Sequence, residues 1–161
     1  RFIARALHSM GETEKSRDRY EEISKLSWDD IDSRYSLLKF HWNDRNYAGA
    51  EIYVNQLLDI SPDDVRFQIF SGRILGRMGK HEDALVRWQI LMDLDPDNIE
   101  ALLGIGISLL SLGKTESALE SLILASEISP DDSRINKQII RAYSRLGLLH
   151  LAIPLLQREC R

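Results

Sequence analysis

Three prolines, Pro62, Pro96 and Pro130, stand at equal intervals along the chain. Each sits in nearly the same phrase: ISPDD at 60–64, LDPDN at 94–98 and ISPDD at 128–132. The same step carries Gly79 to Gly113 and Gly147, and backwards to Arg45 and Gly11. A third series joins Ala50, Ala84, Ala118 and Ala152. A fixed period of this length marks a repeat architecture, in which each unit is one supersecondary element that buries its apolar face against its neighbours.

Between the markers the pattern is helical. A first apolar helix ends at the glycine, and a second carries the alanine where two helices approach closely. The proline, which cannot continue a helix, closes the unit. Asp or Asn after each proline can cap the next helix and favours its positive end. The spacing predicts helices over about 5–10, 14–26, 31–44, 47–60, 65–78, 81–94, 99–112, 115–128, 133–146 and 148–160.

This layout resembles the tetratricopeptide repeat (TPR), a helix-turn-helix unit of about 34 residues. In 65–98 the family markers fall on Gly72, Leu75, Gly79, His81, Ala84, Trp88, Leu91 and Pro96. In 99–132 they fall on Leu102, Gly106, Leu109, Gly113, Ala118, Leu122, Ala125 and Pro130. The unit 31–64 keeps Leu37, Tyr47, Ala50, Leu57 and Pro62 but has Arg45 for the turn glycine. Partial units at 1–30 and 133–161 complete the chain, the first with Ser16 for the alanine and Trp28 for the proline. The resemblance implies an all-α fold, a right-handed TPR solenoid of antiparallel helix pairs, with 1–161 as a single TPR domain.

Composition narrows the function classes. The chain holds 43% hydrophobic and 29% charged residues, a globular balance. Its net charge of −4 disfavours a nucleic-acid binder. Cys160 is the single cysteine, which excludes an intramolecular disulfide and a cysteine-rich zinc site, and it is expected to have no chemical role. No apolar run reaches the roughly 20 residues of a membrane-spanning helix. With no secretory pattern at the start, the expected location is cytoplasmic. The expected reading is also that the chain is a segment of a longer protein, because Gly11 would end a helix begun before Arg1.

Motifs that could carry chemistry dissolve into the repeat. Asp93, Asp95 and Asp97 have calcium-loop spacing, but Asn98 and Gly104 stand where such a loop needs Gly and Glu. Helix termination and capping account for the phrase. His8, His41, His81 and His150 have no metal-pair spacing, and His81 is expected to be structural. Gly104, Gly106 and Gly113 echo a phosphate-binding loop, yet no strand precedes them and they fall in a helix and its turn. No catalytic residue, metal or cofactor is expected, and Tyr20 and Trp88 read as core.

What remains is the face made by the first helix of each unit. The family implies that places 2, 5, 9 and 12 line a concave groove. Here they hold Arg1, Arg5, His8, Asp32, Tyr35, Lys39, Trp42, Arg66, Ile69, Arg73, Gly76, Glu100, Leu103, Ile107, Leu110, Arg134, Lys137, Arg141 and Ser144. Eight basic residues stand there against two acidic ones, whereas the rest of the chain has 13 basic and 23 acidic. The expected function is therefore a non-catalytic scaffold holding a protein or peptide segment with acidic residues. Arg66, Arg73, Lys137 and Arg141 would meet carboxylates, with Lys39 beside them. Tyr35, Trp42, Ile69, Leu103 and Ile107 would be apolar anchors. The chaperone-tail clamp of the family is excluded because no groove place holds Asn. The asparagine ladder of its sugar-transferring relatives is excluded because place 6 reads Phe2, Ser36, Phe70, Gly104 and Gln138. The alternative is an accessory TPR region of a multidomain bacterial enzyme, such as a glycosyltransferase or polysaccharide-assembly protein. An anionic polymer is the least favoured partner.

The last helix is unusual. Residues 148–157 read LLHLAIPLLQ, apolar on nearly every face, with Pro154 inside. A helix in a two-layer array buries one broad stripe. Part of the set Leu149, Leu151, Ile153, Leu155 and Leu156 must then face outward, and weak homodimerisation about a two-fold axis is expected through it.

Overall fold

The computed structural model describes residues 2–159, so Arg1, assigned a groove place, and Cys160 lie outside the described residues. Among the described residues ten helices follow one another: α1 (Phe2–Ser9), α2 (Thr13–Leu26), α3 (Ile31–Asn43), α4 (Tyr47–Ile60), α5 (Val65–Arg77), α6 (His81–Leu94), α7 (Ile99–Ser111), α8 (Thr115–Ile128), α9 (Ser133–Arg145) and α10 (Leu149–Glu159). Among the described residues there is no strand. The helices group into two compact units, Arg1–Met78 and Gly79–Arg161.

The period writes the local structure. Gly11, Gly79, Gly113 and Gly147 all adopt a left-handed conformation, with φ between 73° and 79°. Such a residue reverses the chain after a helix and lets the following N–H reach back to a helical carbonyl. Lys114 N donates to Leu109 O at 2.9 Å in this way, and Asn46 N donates to His41 O at 2.9 Å. Arg45 holds the glycine place of its unit and takes the same conformation, at φ 57°. The starts of the first helices are equally periodic. Asp30, Asp64, Asn98 and Asp132 are the N-caps of α3, α5, α7 and α9, and each side chain accepts a backbone N–H of the first turn.

Packing follows the small-residue register. Ala50, Ala84, Ala118 and Ala152 are each fully buried. Ser16 holds the same place in α2, also fully buried, and its hydroxyl donates to Ala4 O at 2.8 Å. The first unit has two cores: Ala4, Tyr20, Leu37 and Phe40 join α1 to α2 and α3, and Leu38, Val54, Leu57, Phe67 and Ile74 join α3 to α4 and α5. In the second unit Leu102, Leu110, Ala118, Leu122, Ile135 and Ile139 join α7, α8 and α9.

Candidate functional site

In the first unit the face of α1, α3 and α5 brings the expected groove residues together. Arg5, His8, Asp32, Tyr35 and Lys39 line a cleft of about 340 Å³, with Tyr20, Ser36, Phe40 and Asn43 completing the wall. Helical spacing places Tyr35 and Lys39 on one side of α3, one turn apart. The Lys39 ammonium lies 4.7 Å from the centroid of the Tyr35 ring, and the Arg66 guanidinium lies 5.5 Å from the same ring and 5.2 Å from Phe67. All three distances are those of cation–π contacts.

The aromatic surface continues beyond Tyr35. Its ring lies 5.8 Å from both Phe67 and Phe70, Phe70 lies 5.8 Å from Trp42, and Trp42 lies 5.6 Å from Tyr47. Four of these five rings are half-buried, with Phe67 alone inside the core. Ile69 is half-buried on the same helix as Phe70. The surface thus joins apolar contact area to fixed cations.

Electrostatics trims the basic character expected from the family places. Arg5 pairs with Asp32 at 3.1 Å, Arg66 with Asp64 at 2.7 Å, and Arg134 with Asp132 at 2.7 Å and Glu100 at 2.6 Å. Asp64 and Asp132 cap α5 and α9, and each also holds the arginine two places on. The Arg66 and Arg134 side-chain hydrogen bonds keep the Asp64 and Asp132 carboxyls below the usual carboxylate range. Lys39 and Arg141 are exposed and form no ion pair among the described residues.

In the second unit, Arg134, Lys137 and Arg141 lie along α9 and are all exposed, with Lys137 Nζ 3.3 Å from Ser133 Oγ. Ile107 on α7 is 36% exposed. Leu103 differs from expectation. It is 5% exposed and belongs to the core with Leu102, Ile135 and Ile139, so it offers no surface anchor. Leu110, at another groove place, is fully buried. The cause is α7 itself, which has Glu100 as its single charged residue. A helix apolar around most of its circumference is buried around most of it.

Residues 71–133 match the family model described as Tetratricopeptide repeat. This stretch carries the tetratricopeptide repeat. No curated protein matches the sequence. Among solved structures, MamA from Desulfovibrio magneticus RS-1 superposes with a TM-score of 0.88 at 16% identity, over 98% of this chain and 89% of that one. A crystal structure of MamA gives 0.86 at 17% identity, over 97% and 91%. YrrB, described as a TPR protein with an unusual peptide-binding site, gives 0.78 at 19% identity, over 96% and 80%. At such identities the likeness establishes the fold, an all-α TPR solenoid.

The remaining motifs behave as TPR parts. The 93–98 phrase ends α6 and starts α7: Asp95 is the C-cap, and Asn98 caps α7 by accepting from Ala101 N at 3.1 Å. Gly104 and Gly106 lie inside α7, against Trp88 and Leu122. Among the described residues no group of three or more His, Cys, Asp or Glu is placed to hold a metal ion, and no helix is long and apolar enough to cross a membrane. On the last TPR helix, Leu149, Leu151, Ile153 and Leu156 are 43–56% exposed, as the pattern required of part of the set. Leu155 instead packs partly against the second unit's core.

Proposed function

We propose that this chain is a non-catalytic protein-interaction scaffold that holds an acidic segment of a protein partner. The observation that carries the reading is the bracketing of Tyr35 by Lys39 and Arg66, above the half-buried rings of Phe70 and Trp42. Rigid rings give contact area at low entropic cost, and a cation fixed on a ring is ordered before a carboxylate arrives. Arg66 is oriented by Asp64 and serves as the platform, while Lys39 supplies the open charge. Arg73 and Ile69 on α5, and Lys137, Arg141 and Ile107 in the second unit, offer the same chemistry on other TPR first helices.

The test compares one peptide of about ten residues, bearing several Glu and one aromatic, with its Glu→Gln counterpart, by fluorescence anisotropy. Binding of the acidic peptide alone, lost in Lys39→Glu, supports the reading; equal binding of both peptides, or none, rejects it.

The outward side of α10 supports a second surface. Leu149, Ile153 and Leu156 share one side of α10 and are exposed, and apolar patches mark interaction sites. This patch is the element through which copies of the chain self-associate.

A further inference from the structure

We infer that the acidic segment crosses α1, α3 and α5 as a polyproline II helix carrying a carboxylate at every third residue. The inference rests on the reading that this face holds an acidic segment, and it names the conformation and register of that segment.

The repeat sets out a row of cations. Arg5 of α1, Lys39 of α3 and Arg73 of α5 occupy one repeat place, so each first helix of the first unit contributes one cation. The pitch of the row is the distance between neighbouring first helices. α1 packs directly on α3, because Ala4 clusters with Leu37 and Phe40, and the His8 ring lies 5.4 Å from that of Phe40. α3 packs on α5 through Tyr35 and Trp42, whose rings meet Phe67 and Phe70. Helices in such contact lie about 8–10 Å apart.

That pitch selects a backbone. A polyproline II helix has three residues per turn and rises about 3.1 Å per residue, so every third side chain returns to one face after about 9 Å. A β-strand repeats a face after about 6.6 Å or 13 Å. An α-helix does so after about 6 Å or 10.5 Å. Only the polyproline II repeat falls inside the helix spacing.

The floor of the groove has matching chemistry. Proline-rich segments dock in aromatic-lined grooves because they arrive already ordered and offer flat apolar rings. Between α3 and α5 the rings of Tyr35, Phe70 and Trp42 are half-buried, and Phe70 meets the other two nearly edge-on, at 83° and 88°. A polyproline II backbone leaves its carbonyls unpaired, and Asn43 on the cleft wall brings an amide donor toward them. Arg5 gives one guanidinium nitrogen to Asp32 at 3.1 Å, and its fork has further N–H donors for a carboxylate.

Fluorescence anisotropy on the full chain tests this with three labelled peptides of equal charge. They are Glu-Pro-Pro repeated three times, Glu-Gly-Gly repeated three times, and three consecutive Glu followed by six Pro. The spaced proline peptide should bind about tenfold tighter than either of the others. Lys39→Gln removes the middle cation of the row, and should remove most of the advantage over the consecutive-Glu peptide. Equal affinity for all three peptides, or an advantage that Lys39→Gln leaves intact, overturns the polyproline II register while the acidic-segment reading stands. A helical peptide with Glu at every seventh residue that binds as tightly as the spaced proline peptide also overturns the register. If none of these peptides binds, the register falls. If the aromatic-bearing acidic peptide fails as well, the acidic-segment reading falls with it.

Discussion

The indole of Trp88 in α6 occupies the space that a Cβ on Gly104 of α7 would need, so these two residues fix how closely the helices approach. Glycine is required here for room, since Gly104 lies in a regular helix. Gly104→Ala gains about 1 kcal/mol of helix propensity but must displace a ring buried to 3% exposure, and overpacking costs about 1–3 kcal/mol. The expected net result is lower stability by urea unfolding. Adding Trp88→Leu to Gly104→Ala should be less costly than the sum of the single changes, with a coupling of about 0.5–3 kcal/mol. Additive effects would place the two side by side without contact.

Arg45 and Gly113 hold one repeat place and one backbone conformation, with φ of 57° and 78°. A side chain in the left-handed region costs about 1–2 kcal/mol that glycine avoids. Arg45→Gly should therefore raise the melting temperature by a few degrees, and Gly113→Ala should lower it by a similar amount. No atom lies within 4 Å of a Cβ built on Gly113, so the loss would report backbone conformation and not crowding.

Asp64 and Asp132 each cap a helix and hold an arginine, and both carboxyls titrate below their usual range. A depressed folded-state value means that the carboxylate stabilises the fold fully above the unfolded value, about 3.9, and loses that contribution as pH falls. Asp64→Asn with Asp132→Asn keeps an equivalent cap and removes the ion pairs. The variant should unfold somewhat more easily than wild type at pH 7 and lose less stability than wild type between pH 5 and pH 2, so that the two proteins converge in acid. Parallel acid limbs for the two proteins would exclude these carboxylates as a source of acid sensitivity.

The sequence was most legible where one chemical requirement recurs once in every repeat. A left-handed turn, a cap and a small packing residue each admit few amino acids, so Gly11 through Gly147, Asp30 through Asp132 and Ala50 through Ala152 could be read by counting. Trp28 shows the tolerance of that count: it holds a proline place and is 74% exposed. The place shared by Arg34, Gln68, Leu102 and Asn136 was not legible. Arg34 donates to Ser24 O in the last turn of α2 and to Ser27 O, Gln68 to Pro62 O and Asn136 to Pro130 O, so three unlike side chains satisfy carbonyls in or next to the preceding loop while Leu102 is apolar. A hydrogen-bonding task that several residue types can perform leaves no periodic trace. The candidate site was legible by half. Tyr35, Lys39, Trp42 and Arg66 stand at groove places by register, whereas Phe67 carries no marker and Phe70 enters only as the residue at place 6, and the contact of both rings with Tyr35 is visible in the structure alone. Asp64–Arg66 and Asp132–Arg134 repeat an Asp-x-Arg phrase at the same place of two units, a signal that was present and points to local neutralisation.

Binding at Tyr35 divides into a ring effect and a charge effect that substitutions can separate. The ring holds Lys39 at 4.7 Å and touches Phe67 and Phe70, while the hydroxyl is not part of those contacts. Tyr35→Phe should then leave affinity for an acidic peptide within about twofold. Tyr35→Ala removes a contact surface and a cation–π platform worth about 0.5–1 kcal/mol at an exposed site, so affinity should fall about fivefold or more. Lys39→Gln removes one exposed charge, an interaction of about 0.2–1 kcal/mol that salt screens. Its loss should be greatest at low ionic strength and nearly vanish by about 0.5 M salt, whereas the Tyr35→Ala loss should persist. Anisotropy titrations of both variants across salt concentrations read the two effects directly. A Lys39→Gln deficit that does not shrink with salt would assign Lys39 to packing instead of charge.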